Sequence, residues 1–380
     1  MTMKWFGYVG VSVSLAFALV ALGSRQTESA SVSRLLYVAS PGILDQVEHG
    51  GVGILVFDIT NNHRFMRRIP TWPDGGGPVE KVKGVVASAA TQMICVSTPT
   101  RVACFDLQSD EKLWEKQYEG GADRLAMTPD GATLYVPSHN GPHWRVVDAR
   151  TGDVIKKLVA DPDAGAHNTI VSLGGTFAYL GGMRSRWLYI VDTKKREIAR
   201  KIGPFGNVIR PLTVNRSGSL CFVNVNDLLG FEVGDVRAGT VSHRVEIRGF
   251  PKGPTQRHGC PSHGIGLTPD ETELWVCDSF NERVHIFDAT VVPPKPLTSV
   301  KLRGQPGWIT FSLDGRLAYP STGDVIDVGT RKILTTLKDE RGRAVQSEKM
   351  LEIDWADGKA VRVGDQFGLG RSYAIRRGGS

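Results

Sequence analysis

Seven times along this chain a short hydrophobic strand ends in an aspartate, followed by a turn and a strand that leads into a new repeat. The aspartates are Asp58, Asp106, Asp148, Asp192, Asp235, Asp288 and Asp327, and the clearest contexts are Ile54-Leu-Val-Phe-Asp58, Trp144-Arg-Val-Val-Asp148, Leu188-Tyr-Ile-Val-Asp192 and Val284-His-Ile-Phe-Asp288. They recur roughly every 40 to 50 residues, the period of a four-stranded propeller blade. One blade cannot bury its apolar faces alone, so repeats of this kind stack around an axis and close. The expectation is an all-β, seven-bladed propeller forming one domain of this 380-residue chain.

Turns of matching chemistry mark each repeat: Thr128-Pro-Asp-Gly131, Leu173-Gly-Gly175, Arg216-Ser-Gly218, Thr268-Pro-Asp-Glu271 and Ser312-Leu-Asp-Gly315. Glycine supplies the left-handed conformation and aspartate bonds its own turn. The first repeat begins at a second strand, Leu35-Leu-Tyr-Val38, with no inner strand of its own. The segment Lys349-Met-Leu-Glu-Ile-Asp354, with Ala356-Asp-Gly358 after it, reads as that missing strand and turn. N- and C-terminal strands then complete one blade and close the ring, hiding sheet edges. The organisation is therefore a signal peptide over 1–30, the propeller over 31–358, and a tail over 359–380 that has no place in a simple blade.

The Leu134-Tyr-Val136 and Leu274-Trp-Val276 strands, the Pro-Asp turns and the Asp-ending strands resemble YVTN-type seven-bladed β-propellers over residues 34 to 358. The chain departs from the strict pattern, reading Pro137-Ser-His-Asn140 in blade three and Cys277-Asp-Ser-Phe-Asn281 in blade six. The resemblance implies the fold. Propellers of this type include cofactor-binding domains, lactone-opening or lyase enzymes and non-catalytic binding modules, so the fold selects no activity.

At the N-terminus, Lys4 precedes an apolar run from Val9 to Leu22 and then polar Ser24-Arg-Gln-Thr-Glu28. This is the layout of a secretory signal, cleaved after Gly23 or Ala30, and the run is short for a membrane span. Export to the periplasm or the extracellular space is expected, with no stable membrane span in the mature chain. Export draws attention to the cysteines. Cys260–Cys277 is the favoured disulfide, ahead of Cys95–Cys104 across the Thr98-Pro-Thr-Arg101 turn. The net charge of +7 is spread along the chain without a basic stripe, so a nucleic-acid partner is not expected.

Counting eight positions back from each turn glycine, or its equivalent, reaches Asp123, His167, Arg210 and His263 in four consecutive blades. Gly307, beside Trp308, and Met350, beside Lys349, follow in register. Equivalent positions stand at equal height around the axis, so these residues gather at one channel mouth. Asp123, His167, Arg210 and His263 are the candidate ligand-binding residues. His139, Asn140 and His143 lie on a loop expected at the same end.

Three chemistries suit this set. His167, His263 and Asp123 could hold a divalent metal that activates water. Arg210 suits an anionic ligand. A histidine could transfer protons without any metal. The leading reading is an exported propeller that binds a small anionic ligand or cofactor of unknown identity. The alternatives are a hydrolase or lyase of lactone or sugar-acid type, with or without a divalent metal, and a scaffold for another protein. The sequence leaves open whether the protein is an enzyme.

Overall fold

The computed structural model describes residues 1–5, 7, 32–72, 78–255 and 258–366. The apolar run of the expected signal, the Asp74-Gly-Gly-Gly77 stretch, Arg257 and the tail from 367 lie outside the described residues. No helix among the described residues is long and apolar enough to cross a membrane.

Seven antiparallel sheets are present, six of four strands and one of five. Second and third strands are buried almost throughout, as in Thr133–Pro137 and Arg283–Asp288. Both of their faces pack against neighbouring blades, which explains their continuous apolar runs. Outer strands such as Thr240–Glu246 alternate exposed and half-buried residues, matching one covered face. Among the described residues seven apolar clusters result, each joining two adjacent blades, and the one between blades four and five also takes in Trp308 of blade seven. The cluster containing Val38, Leu55, Tyr319 and Val325 joins blade seven to blade one, so the ring is closed.

Closure follows the expected route. Met350–Ala356 pairs with Ser33–Ser40, with Glu352 opposite Leu36. Arg34 clasps this seam, its Nε 2.7 Å from Glu352 and its Nη1 2.8 Å from Asp314 of blade seven. The sheet then continues past the expected boundary at 358. Lys359–Val363 turns back and pairs with Met350–Ala356 as a fifth strand. A register shift at Asp354/Trp355 skips Val361, so Ala360 and Val363 both turn inward and are buried in the core between blades one and two.

The repeated aspartates do local work. Each of the seven accepts a backbone N–H from the turn that follows, as Asp58 does from Thr60 and Asp148 from Arg150. Glu271 occupies the glycine position of its turn at φ 62°, where Gly131, Gly175, Gly218 and Gly315 have φ between 66° and 72°. The register used to align the repeats is therefore the register of the fold.

The disulfide expectation is corrected. Cys95 and Cys104 are bonded, while Cys260 and Cys277 are free and buried. Cys95 and Cys104 stand directly opposite in paired strands. Ser262 pairs with Asp278, so Cys260 lies beyond the strand start and out of register with Cys277.

Candidate functional site

The innermost strands carry β-bulges at the mouth of the channel. In blade four, Ala166 pairs with Gly182 and Asn168 with Gly181, leaving His167 as the extra residue. In blade five the register skips from Ile209 to Leu212, across Arg210 and Pro211. In blade six it skips from Ser262 to Ile265, across His263 and Gly264. A bulge frees one residue from the ladder and re-aims its side chain. Three of the four sequence-derived positions thus sit on bulges. Gly264 has φ 111°, and a Cβ there would lie 2.7 Å from the Trp308 backbone, so the blade-six bulge requires glycine.

The structure divides the candidate residues into two clusters. Asp123 centres the first and is 1% exposed. Its Oδ1 lies 3.2 Å from Lys83 Nζ, and its Oδ2 lies 2.9 Å from His167 Nδ1 and 3.2 Å from His139 Nδ1. Burial by itself would raise the Asp123 pKa, but the neighbouring His167 and Lys83 outweigh it and hold the carboxyl well below its usual range. Burial pushes His167 down to about 4, against the opposing pull of Asp123.

His167 therefore binds its proton less readily in the folded chain than in the unfolded one. Its contribution to stability is complete above pH about 6.5 and is lost as pH falls toward 4, a loss on the order of 3 kcal/mol. Urea titrations at pH 7.5 and 4.5 should show this acid loss in the native chain and a clearly smaller one in His167→Gln. Equal acid losses in both chains would contradict the assignment.

Glu348 centres the second cluster. Its Oε2 accepts from Arg124 Nη2 at 2.6 Å and from Lys349 Nζ at 2.7 Å, and its Oε1 lies 2.8 Å from His258 Nδ1. Burial opposes ionisation here, yet Lys349, Arg124 and His258 hold Glu348 well below the usual carboxylate range. Burial pushes Lys349 down to about 7 despite that pairing. The Arg124 guanidinium lies 3.9 Å from the centre of the Trp308 ring. His263 belongs to this cluster: its Nδ1 is 2.8 Å from the Gly307 carbonyl, and its ring stacks on His258 at 5.1 Å. Arg210 stands apart, bonded to Asn226 Oδ1 at 2.5 Å and to the Gly259 carbonyl at 3.4 Å.

Below both clusters lies Gln366, one or two residues further along the inner strands. Its side chain accepts from Val85 N at 2.9 Å and donates to the Leu125 carbonyl at 3.0 Å. Its own carbonyl accepts from Trp308 Nε1 and from Thr310 Oγ1. The chain after blade one thus enters the channel and joins blades two, three and seven beneath the mouth. The two clusters form a polar cup whose base Gln366 bridges.

The proposed metal trio is split by this arrangement. Asp123 and His167 are together, while His263 stacks on His258 beside Glu348. Among the described residues, one set of three donors has its ligand atoms within 4.8 Å of one another: His258, His263 and Glu348. Arg124 and Lys349 already occupy Glu348 and would repel a divalent cation, so the charge around this set suits an anion better.

Lys83, Arg124, His258, Glu348 and Gln366 were not singled out by the register argument. Arg124 neighbours a ring position, as Lys349 and Trp308 do, and Lys83 holds the blade-two place that matches Asp123, five residues before Ser88 as Asp123 is before Thr128. Extending the register to blade two and by one residue would have found both. His258 and Glu348 depend on loop conformation. No protein-family model and no curated protein matches this chain.

Proposed function

We propose that this protein is an exported, YVTN-type binding propeller whose channel mouth holds a small anionic ligand. The observation that carries the reading is Arg124. It is 5% exposed, it spends Nη2 on Glu348, and its Nε and Nη1 are buried with no partner. Buried charged donors without acceptors are costly, and an oxyanion is the partner that satisfies them. Lys83, Lys349 and Arg210 add positive charge around the same mouth, against the carboxylates of Asp123 and Glu348. A disulfide in the propeller supports the exported location, since such bonds persist in oxidising compartments.

A second reading, a hydrolase or lyase of lactone or sugar-acid type, draws support from His258. Its Nδ1 faces a carboxylate and its Nε2 is buried and free, the orientation of a carboxylate-held proton-transfer group.

Native mass spectrometry of the protein purified from its exported fraction tests the main reading and locates the cleavage site, after Gly23 or Ala30. The expected result is a small anionic adduct, or capture of an added carboxylate or phosphate, weakened about 30-fold or more in Arg124→Met. Unchanged binding in Arg124→Met would sink the assignment of this residue. Absence of any anion binding in the native chain would turn attention to the scaffold alternative.

A further inference from the structure

The unpartnered atoms of the cup make opposite demands. Arg124 Nε and Nη1 are donors and need an acceptor. Neutral His258 makes the reverse demand. Its Nδ1 lies 2.8 Å from Glu348, and an ionised carboxylate only accepts. In the neutral ring the proton therefore sits on Nδ1, and Nε2 is left as a buried lone pair without a donor. The ring is held in this pose. It stacks on His263, with 24° between the planes, and it fills the space that a side chain at Gly307 would take, where a Cβ would lie 2.2 Å from the imidazole.

Both groups reach the same carboxylate, Arg124 at Oε2 and His258 at Oε1. The unmet donors and the unmet acceptor thus belong to two side chains held on one carboxylate. A bare carboxylate or sulfate would satisfy Arg124 but set its own lone pairs against that of Nε2. An amino acid would supply a donor, but its ammonium group would enter a cluster that already holds Arg124 and Lys349. A hydroxyl supplies the donor without the charge.

We propose that the ligand is a hydroxy acid, with its carboxylate on Arg124 and a neighbouring hydroxyl donating to His258 Nε2. This rests on the anion-binding reading above and narrows it to one chemical class. A site built to pair a ligand hydroxyl discriminates against the analogue that lacks it, because its own buried group is then left unpaired.

Calorimetry on the processed full chain, with matched pairs of probes, tests the proposal. The pairs are lactate with propionate, malate with succinate, and gluconate with hexanoate; alanine and inorganic phosphate are added as further probes. The hydroxylated member of at least one pair should bind about tenfold tighter or better than its partner. In His258→Gln that preference should shrink while carboxylate binding persists, and Arg124→Met should weaken both members together. The comparison within the native chain stands even where a variant fails to fold. Equal affinities within every pair, or alanine binding more tightly than lactate, would overturn the hydroxyl assignment and leave the anion site standing. No binding of any carboxylate or of phosphate would overturn both.

Discussion

Glu348→Ala should lower the unfolding free energy by about 3–5 kcal/mol, the largest loss expected from any single substitution in the cup. The carboxylate is buried, and it is the acceptor for Arg124 and Lys349 and the partner of His258. Deleting it leaves the buried Arg124 guanidinium without its counter-charge, while Lys349, already pushed down to about 7, loses the carboxylate that held its proton and turns neutral at pH 7.5. Lys349 keeps the Gly42 carbonyl, but Arg124 keeps only the Trp308 ring. Glu348→Gln preserves acceptor shape and removes charge, so its loss should fall between those of the native chain and the alanine variant. Equilibrium urea unfolding of the three proteins at pH 7.5 measures this series. A loss under about 1 kcal/mol for Glu348→Ala would mean that water reaches the cup freely and that these charges are solvated.

The second large effect concerns the C-terminal chain. Gln366→Ala should cost about 2–4 kcal/mol, because it orphans the buried Val85 N–H and the Leu125 carbonyl together. Ending the chain at residue 358 should cost more. That truncation also uncovers the inner edge of Met350–Ala356 and removes Ala360 and Val363 from the core. Urea unfolding reports the totals, and hydrogen exchange at the Val85 amide reports the local event. Protection of Val85 that survives Gln366→Ala would show that the channel base does not depend on this residue. The same truncation should weaken ligand capture, since Trp308, which underlies Arg124, donates to the Gln366 carbonyl.

Local chemistry made much of this legible in the sequence. Blade count and closure followed from the spacing of Asp58 to Asp327 and from the missing inner strand of the first repeat. Each aspartate works within its own turn, so its meaning is local and readable. The ring positions Asp123, His167, Arg210 and His263 were reachable because repeats place equivalent residues at equal height. Which of them touch was not. His167 meets Asp123, whereas His263 turns to Gly307 and His258, because a bulge rotates each side chain by an amount the pattern does not encode.

The disulfide illustrates the same division. Cys95 and Cys104 read as facing across a hairpin and Cys260 and Cys277 as sharing one end of a blade, and only strand register separates the bonded pair from the free one. Lys359–Val363 does not alternate as a strand does, and its place along the innermost edge exists only once the ring is closed.

By itself, then, the sequence determined the repeat, the blade number, the closing seam and the height of the polar ring, all consequences of short-range periodicity. The tertiary structure alone decided the Glu348-centred cluster, which gathers Arg124 from blade three, His258 from the loop before blade six and Lys349 beside the closing strand. Residues separated by more than two hundred positions meet there, at a point set by closure of the ring around its axis.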